Sequence, residues 1–384
     1  MGAPTALGPN CGMFICMSLT KTIAIDARES GTSSGRYVDK LIEYLHKLQP
    51  EHTVILLAKA HRLEYLSGIA PTFTIIETPF KEFTFGEQLG FLQQINHLNA
   101  DLVHFTFANQ PVLYSGRVVT TIQDLTTIRF RNPDKNAAVF WAKLQVYKWM
   151  NKRVAHKSVA LITPTQFVKD DIVAYAHCDP AKVSVTLESA DRILDTPEPI
   201  SALQDVPFIM YTGRPTPHKN LGRLIEAFRL LQKDRPELQL VLVGKTDTNY
   251  QRHEALVRQQ GISGVTFTGF ASEGQLRWLY EHCTAYVFPS LSEGFGLPGL
   301  EAMRHGAPVA SSNATCLPEV HGDAAHYFDP LSVTDMASKI GEVVDDSDLR
   351  QELIKKGTAQ AAKYSWSRMA KQTLAVYEKA LAQS

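Results

Sequence analysis

Two carboxylates flank a glycine loop at residues 292–301, SEGFGLPGLE. An apolar run ends just before this segment, and Pro298 suits the first turn of a helix. The free N–H groups at a helix start bind anions, and the glycines let the backbone approach a ligand closely. Because a carboxylate near an anion needs a neutral partner, sugar hydroxyls fit Glu293 and Glu301. For Glu301 alone, a helix-dipole carboxylate would be the simpler interpretation, but the whole pattern favours a ligand site.

A second loop, residues 213–220 with the sequence GRPTPHKN, also follows an apolar run. Gly213 ends the run, and Arg214 and Lys219 precede a helical pattern. Two cations at a strand–helix junction can neutralise a diphosphate leaving group. The alternative is a pair of solvated charges, and the junction position favours the phosphate interpretation.

A third loop, residues 26–37, is rich in glycine and hydroxyl groups and includes Gly31 and Gly35. This composition is shared by many turns between a strand and a helix, so the motif is weak by itself. We expect it to close over the phosphates from the opposite side of a cleft.

Short β-branched runs alternate with amphipathic segments along the chain, which predicts the α/β class with parallel sheets. Strands are predicted over residues 22–27, 53–58, 73–78, 102–106, 118–122, 159–163, 208–212, 238–243, 265–268, 285–289, 308–311 and 326–328. The pattern pauses over the proline-rich and acidic residues 191–207, which indicates two doubly wound domains of Rossmann-like type facing across a cleft. The predicted divisions are an N-terminal extension (1–20), a first domain (21–195), a second domain (206–365) and a C-terminal helix (366–384).

Composition excludes several classes of protein. The chain of 384 residues has 39 basic and 39 acidic residues, so its net charge gives no reason to expect nucleic acid as a partner. Five cysteines without a C-x-x-C pair favour a reducing, cytoplasmic location over a disulfide framework or a zinc cluster. The apolar runs are shorter than the ~20 residues of a membrane span, and the N-terminus does not resemble a secretory signal.

These motifs together resemble the family-4 retaining glycosyltransferases of the GT-B fold. The resemblance runs from about Thr22 to the C-terminus and is most specific at Gly213-Arg214, at His218-Lys219-Asn220 and in the Glu-x7-Glu pattern from Glu293 to Glu301.

The resemblance implies that the first domain lies on the acceptor side, that the second binds the nucleotide sugar and that the C-terminal helix joins the first domain. It also implies a role for each matched residue. Arg214 and Lys219 would hold the donor diphosphate, Glu301 the ribose and Glu293 the transferred sugar. Backbone amides at Gly294, Phe295, Gly296 and Leu297 would bind sugar and phosphate. The loop with Gly31 and Gly35 would meet the diphosphate or the acceptor, and Thr268-Gly269-Phe270 would lie beside the base.

One position departs from the family pattern. Many relatives carry a His-Asp pair after the fifth strand, with the histidine on the donor sugar, and this chain has Gln123 followed by Asp124. A glutamine can bind a sugar hydroxyl, but it cannot act as an acid or a base at neutral pH. His104, at the end of another strand, could compensate, or it could be a structural histidine. His104 and Asp124 are the candidates on the acceptor side.

The resemblance further implies a front-side displacement in which the departing phosphate helps to deprotonate the acceptor. It implies no cofactor and no metal, because the chain lacks an Asp-x-Asp cluster at the diphosphate. GDP-mannose is the first choice of donor, with UDP-sugars next, and the acceptor is a glycan or a lipid-linked glycan. The alternatives are a sugar-nucleotide epimerase of the same fold and a catalytically weak nucleotide-sugar-binding protein.

A basic and aromatic stretch over residues 129–157 contains eight Lys or Arg side chains and one acid, Asp134. It has two interpretations. One is an interfacial helix that contacts anionic lipid or a lipid-diphosphate acceptor at the inner membrane face. The other, slightly favoured by the sequence, is a packing helix with a solvated basic face.

Overall fold

The computed structural model describes residues 20–32, 35–131 and 137–383, which form two parallel β-sheets and their helices. The predicted extension over residues 1–20 lies outside this part except for its last position. The first sheet contains β1 Thr22–Asp26, β2 Thr53–Ala58, β3 Thr74–Glu77, β4 Leu102–Phe105, β5 Val118–Thr121, β6 Ala160–Thr163 and β7 Val183–Val185. The second contains β8 Phe208–Thr212, β9 Gln239–Val243, β10 Val265–Gly269, β11 Ala285–Phe288, β12 Val309–Ser312 and β13 Ala325–Phe328.

Fourteen α-helices are described between and after the strands. They are α1 Arg36–Leu48, α2 Leu63–Ile69, α3 Leu92–His97, α4 Thr126–Arg129, α5 Ala137–Lys157, α6 Gln166–Ala176, α7 Leu221–Leu231, α8 Thr248–Gln259, α9 Glu273–His282, α10 Leu297–Arg304, α11 Leu317–His321, α12 Val333–Asp345, α13 Ser347–Ala362 and α14 Trp366–Ala382. A π-helical turn, Glu87–Phe91, precedes α3. None of the described helices combines the length and the apolar character that crossing a bilayer requires.

Strand order places the ligand-binding edge of each sheet. The first sheet has the order β3-β2-β1-β4-β5-β6-β7 and the second β10-β9-β8-β11-β12-β13, with every pair parallel. The order reverses between β1 and β4 and between β8 and β11. Ligands of such sheets bind beyond the carboxyl ends of the strands at these reversals. The loops after β1, β8 and β11 therefore flank the two switch points, and the predicted α/β class is confirmed.

Both faces of the second sheet are covered, as its continuous apolar strands require. Along β8, Phe208 and Met210 lie in one core, whereas Ile209 and Tyr211 lie in the core on the opposite face. The first sheet alternates in the same way, with Ile23 and Ile25 on one side and Ala24 on the other.

The C-terminal helix packs on the first sheet although it follows the second in sequence. Trp366, Met369 and Tyr377 of α14 are buried in the same core as Val38 and Leu41 of α1. The last helix thereby links the end of the chain to its beginning.

His104 lies in this core and not at a ligand site, which corrects its assignment to the acceptor. Its side chain on β4 is fully buried. The Nδ1 atom is 2.6 Å from the Tyr377 hydroxyl and Nε2 is 2.9 Å from the Thr121 hydroxyl. Both ring nitrogens are therefore engaged, and the helix α14 covers the ring.

Replacing His104 with Gln should weaken the dependence of stability on pH. Burial lowers the pKa of His104 to about 3 in the folded protein, whereas an unfolded histidine titrates near pH ~6.5. The stabilisation of the native state by neutral His104 is thus fully present above the pKa of the unfolded histidine. It is lost as the pH falls below that pKa, because only the unfolded state binds the proton. Between pH ~7 and ~5 the wild type should lose about 2 kcal/mol more unfolding free energy than His104→Gln. Denaturant titrations at both pH values measure this, and equal losses would contradict a buried neutral histidine.

Candidate active site

The loop after β11 leads directly into α10, as the glycines and Pro298 predicted. Gly296 caps the helix with φ of 96°, a backbone conformation that favours glycine, and an added Cβ would lie 2.7 Å from Leu317 Cδ2. Phe295 turns into the core and packs edge-on against Tyr364. The helix starts at Leu297, with Pro298 in its first turn. Amides at this helix start are therefore available to an anion.

The loop after β8 joins this loop through an ion pair. Lys219 Nζ lies 2.6 Å from Glu293 Oε1, and the two side chains are 19% and 12% exposed. The backbone N–H of Leu291 donates to the His218 carbonyl at 2.7 Å, which fixes the two loops side by side. The pairing orients Glu293 and balances its charge in a poorly solvated position.

Asn220 holds the same junction together, a role that its place in the motif did not reveal. It adopts a left-handed backbone conformation with φ of 63°. Its Nδ2 atom donates to the carbonyls of Pro289 and Pro330 at 3.0 and 2.8 Å. Asn220 therefore anchors the cation-bearing loop to the end of β11, where the loop with Glu293 begins.

Arg214 belongs to the same loop, but its side chain is exposed. The preceding Gly213 has φ of 143°, and an added Cβ would meet the Tyr211 hydroxyl at 2.9 Å. The structure therefore places Arg214 at the mouth of the cluster and Lys219 inside it.

The first sheet contributes the residues after β5. An added Cβ at Gly294 would lie only 2.0 Å from the Gln123 carbonyl oxygen and 3.2 Å from Asp124 Cβ. The Asp124 carboxylate accepts from the Thr126 N–H at 2.7 Å, and burial raises the pKa of Asp124. Gln123 and Asp124 thus lie directly against the glycine loop, so the donor-side and acceptor-side candidates meet there.

Glu301 forms an ion pair that the sequence did not predict. Its partner is Arg36, the first residue of α1 in the other half of the protein, and the side chains are 12% and 47% exposed. A cation at a helix start interacts unfavourably with the helix dipole. This unfavourable position is the one local signal in the sequence that Arg36 pairs with another group. The pair brings the loop after β1, with Gly31 and Gly35, close to α10.

The loop after β1 is shaped by its glycines. Gly31 has φ of 75°. A Cβ at Gly35 would be 1.9 Å from the Glu29 carbonyl oxygen. The turn is therefore tight, and its closing over the phosphates stays a prediction.

The segment from Thr268 to Phe270 lies at the end of β10. Gly269 has φ of 70°, and its carbonyl accepts from the Gly244 N–H at 3.1 Å. Thr268 donates its hydroxyl to the same carbonyl at 3.0 Å, and Phe270 is exposed. The contacts of this segment run to its own sheet, so its role beside a base stays a prediction.

The structure thus brings most of the predicted residues to the boundary between the two sheets. Lys219, Glu293, Gly294, Gln123 and Asp124 form its centre. Glu301 and the loop after β1 form one side, the segment after β10 lies on its own sheet, and His104 lies apart in the core. Within the described ranges, no group of three or more His, Cys, Asp or Glu could hold a metal ion.

Two family domains match this architecture. The Glycosyltransferase Family 4 domain matches residues 34–187, and the domain described as Glycosyl transferases group 1 matches residues 196–360. The chain is 32% identical over 280 residues to O-antigen chain mannosyltransferase B of Escherichia coli, covering 68% of this chain and 70% of that one. The chain belongs to the family-4 glycosyltransferases. It is therefore a glycosyltransferase, and the predicted family is confirmed.

Other family-4 relatives are similar over a comparable region. The MMP alpha-(1->4)-mannosyltransferase of Mycolicibacterium hassiacum is 31% identical over 275 residues, covering 69% of this chain and 66% of that one. The serotype-specific mannosyltransferase WbdA of Escherichia coli is 35% identical over 214 residues, and the match spans only 26% of its length.

Solved structures confirm the GT-B fold. Sucrose-phosphate synthase from Thermosynechococcus elongatus has a TM-score of 0.75 at 18% identity, and the match covers 95% of this chain and 100% of that chain. The Anabaena protein HepE, solved with UDP and glucose, has a TM-score of 0.70 at 17% identity, covering 94% and 100%. At these identities the likeness establishes the fold alone.

Replacing Gly294 with Ala should disturb the contact between the two sheets. The methyl group would overlap the Gln123 carbonyl, so the backbones must separate or strain. We expect a loss of about 1–3 kcal/mol in unfolding free energy and a lower affinity for nucleotide sugars. Gly68→Ala in α2 is the matched control, because nothing lies within 4 Å of its added Cβ and alanine favours a helix by roughly 0.5–1 kcal/mol. Equal stability of the two variants in denaturant titrations would contradict the contact.

Proposed function

We propose that this family-4 glycosyltransferase transfers mannose from GDP-mannose with retention of configuration and without a metal or other cofactor. The relatives named above are mannosyltransferases, which supports mannose as the transferred sugar and offers no support for an epimerase. HepE is recorded with UDP and glucose, which keeps UDP-sugars as the second choice of donor. The acceptor proposed is a glycan or a lipid-linked glycan.

The observation that carries this proposal is the ion pair between Lys219 and Glu293 at the start of α10. The pair keeps one carboxylate oriented beside the glycine loop, 2.6 Å from its cation. An oriented carboxylate can accept hydroxyls of a hexose, while the helix amides and Lys219 face a diphosphate. Arg214, exposed at the mouth, is free to turn toward the phosphates from the other side.

Glu301 is the ribose-binding group in this proposal. Its carboxylate is largely shielded from solvent and is already oriented by Arg36 and by the Tyr280 hydroxyl at 3.5 Å. Because a carboxylate accepts up to four hydrogen bonds, it can bind both ribose hydroxyls without losing every present partner. Thr268, Gly269 and Phe270 would lie beside the base.

Catalysis in this scheme is electrostatic. As the sugar–phosphate bond breaks, negative charge develops on the leaving diphosphate, where Arg214, Lys219 and the amides of α10 stabilise it. The acceptor hydroxyl attacks from the same face and passes its proton to the departing phosphate oxygen. Gln123 cannot take that proton, so it serves to bind the sugar.

A panel of nucleotide sugars tests the donor site. GDP-mannose, UDP-glucose and ADP-glucose are compared by thermal shift with wild-type protein, Glu301→Ala and Glu254→Ala. Glu254 is an exposed-face control that pairs with Arg258 on α8. We expect GDP-mannose to stabilise the wild type and the control, and Glu301→Ala to weaken binding about tenfold or more, since two charged hydrogen bonds are lost.

The same panel separates the alternatives. If no nucleotide sugar stabilises the wild type, the donor-site assignment fails. If GDP-mannose binds but stays intact during long incubation with glycan and lipid-linked acceptors, the protein is a binding protein and not an active transferase.

Helix α5 supports a further part of the proposal, a cytoplasmic enzyme in contact with the inner membrane face. One side of α5 packs inward through Met150, Asn151, Val154 and Ala155. The opposite side exposes Trp141 and Trp149, which are 64% and 55% accessible. The basic residues Lys152 and Arg153 are exposed on that same side. The helix therefore has both a packing face and an exposed basic face, which were the features of the two interpretations that the sequence left open. Its exposed face also carries tryptophan.

The apolar exposure extends beyond α5. Phe83 is exposed, and its ring lies 6.2 Å from that of Tyr147 on α5. Phe85 and Leu89 nearby are also exposed. Aromatic and basic side chains on one surface are typical of proteins that bind anionic bilayers.

Substitution of this surface tests the membrane contact. The double variants Trp141→Ala/Trp149→Ala and Lys152→Glu/Arg153→Glu are compared with wild type in vesicle sedimentation. We expect the wild type to bind vesicles with anionic phosphatidylglycerol and each double variant to bind at least about tenfold more weakly. The charge reversal removes two cations that contribute about 1 kcal/mol each, and the tryptophan variant removes the aromatic side chains that enter the bilayer interface. Unchanged vesicle binding in both variants would contradict a membrane contact through this surface.

A further inference from the structure

The helical segment after β3 has its polarity reversed. Phe85 and Leu89 are four positions apart, which places them on one face of a helix, and they are 88% and 67% exposed. Glu87 lies between them in sequence, begins the π-helical turn and is fully buried. A helix at the surface of a water-soluble protein normally buries its apolar residues and exposes its carboxylates. The reversal therefore calls for a partner on each side of the segment.

Arg28, in the loop after β1, is the partner on the buried side. Its side chain is fully buried, and Nη2 donates to Glu87 Oε1 at 2.8 Å and to Asp26 Oδ2 at 2.7 Å. Its Cζ atom lies 4.0 Å from the centre of the Phe91 ring, at the other end of the π-helical turn. Buried ion pairs are weak evidence for stability, but they can fix one arrangement of the segments that they join. Here they join the loop after β1 to both ends of the turn.

The second carboxylate oxygen of Glu87 holds the chain that enters the turn. Glu87 Oε2 accepts from the Phe83 N–H at 2.9 Å. Phe83 has φ of 58°, a left-handed conformation that is unfavourable for an aromatic residue and persists only where the surroundings impose it. The Phe83 ring is exposed and lies against the ring of Tyr147 on α5. The buried ion pair thus determines, through Glu87, where an exposed aromatic ring stands.

The exposed side of the segment adjoins the basic and aromatic surface of α5. Phe83 makes the connection, with its ring 6.2 Å from that of Tyr147. Lys152 and Arg153 on α5 are exposed as well. An anionic bilayer offers an apolar interior to phenylalanine and leucine side chains and negative headgroups to the cations. A free glycan offers neither, so the bilayer is the partner that fits this side.

We propose that the buried Arg28–Glu87 pair holds residues 83–89 as an apolar loop that enters an anionic bilayer, with Glu87 as the positioning residue. The inference rests on the membrane contact proposed for α5 and assigns to it an inserting element and the group that orients that element. Without the pair, the segment can turn so that Phe85 and Leu89 pack against the protein, and the apolar loop is lost.

Two substitutions of Glu87 test the pair, because each of its oxygens accepts from a different donor. Glu87→Gln leaves one oxygen, so its NH₂ group must face either Arg28 or the Phe83 N–H, and one of the two bonds is lost. Glu87→Asp keeps the negative charge beside Arg28 but is one methylene shorter, so it cannot hold both donors. Glu77→Gln is the control for the loss of charge, because Glu77 is exposed at the end of β3.

Sedimentation with phosphatidylglycerol vesicles measures the effect. We expect Glu87→Gln and Glu87→Asp to bind about fivefold or more weakly than the wild type, since the lost hydrogen bond involves a charged group. Glu77→Gln should bind at least as tightly as the wild type. Calorimetry with GDP-mannose should give affinities within about twofold of the wild type for all three variants, because the donor site is elsewhere.

A fluorescent reporter separates insertion from a general loss of stability. Phe85→Trp is made in a protein with Trp141→Phe and Trp149→Phe, where the two remaining tryptophans, Trp278 and Trp366, are buried. We expect vesicles of brominated phosphatidylglycerol to quench the tryptophan at position 85. Either substitution of Glu87 should reduce this quenching at lipid concentrations where the protein is fully bound.

Three results would overturn the inference. They are no quenching at position 85, equal quenching with and without the Glu87 substitutions, and vesicle binding by both Glu87 variants that equals the wild type. If the α5 variants still lose vesicle binding in those cases, the membrane contact through α5 survives. If the wild type does not bind anionic vesicles, both proposals fail, while GDP-mannose binding still decides the donor site by itself.

Discussion

The approach of one backbone to another at Gly294 is the constraint on which the rest of the cleft depends. The Cα atom of Gly294 lies so near the Gln123 carbonyl that no side chain fits between them. Around this point the two halves bond through polar groups: the Thr165 hydroxyl donates to the Gly294 carbonyl at 3.0 Å, and the Thr126 and Ser292 hydroxyls lie 2.9 Å apart. Because these bonds converge on one loop, the glycine loop of the candidate site and the contact between the halves share the same atoms.

A second contact secures the same boundary. The Glu319 carboxylate accepts from the N–H groups of Gln166 and Phe167 at 2.7 and 2.8 Å, at the start of α6. A carboxylate at a helix start satisfies free donors and complements the helix dipole. At this point the boundary is thus polar, because a carboxylate of one half satisfies the helix start of the other.

Elements that are marked by a pattern of neighbouring residues could be predicted from the sequence. Features that depend on residues distant in the chain could not. Buried parallel strands are continuous apolar runs, so twelve of them were visible, while β7, Val183–Val185, is too short to stand out. The glycine loops carry their own conformational signature. The contacts of Arg36 and Asn220 depend on partners that are distant in sequence. The assignment of His104 to the acceptor failed for the same reason. The Tyr377 hydroxyl that contacts its ring lies on α14, 273 positions further along the chain.

The two carboxylates of the Glu-x7-Glu pattern are each paired with a cation, but the two pairs differ in how easily a ligand can separate them. The Lys219–Glu293 pair has both partners mostly shielded, so separating it would leave a poorly solvated charge. The Arg36 side chain is about half exposed, so its charge stays solvated when it leaves Glu301. In the proposed complex, ribose hydroxyls can therefore replace Arg36 on Glu301, while Lys219 stays on Glu293.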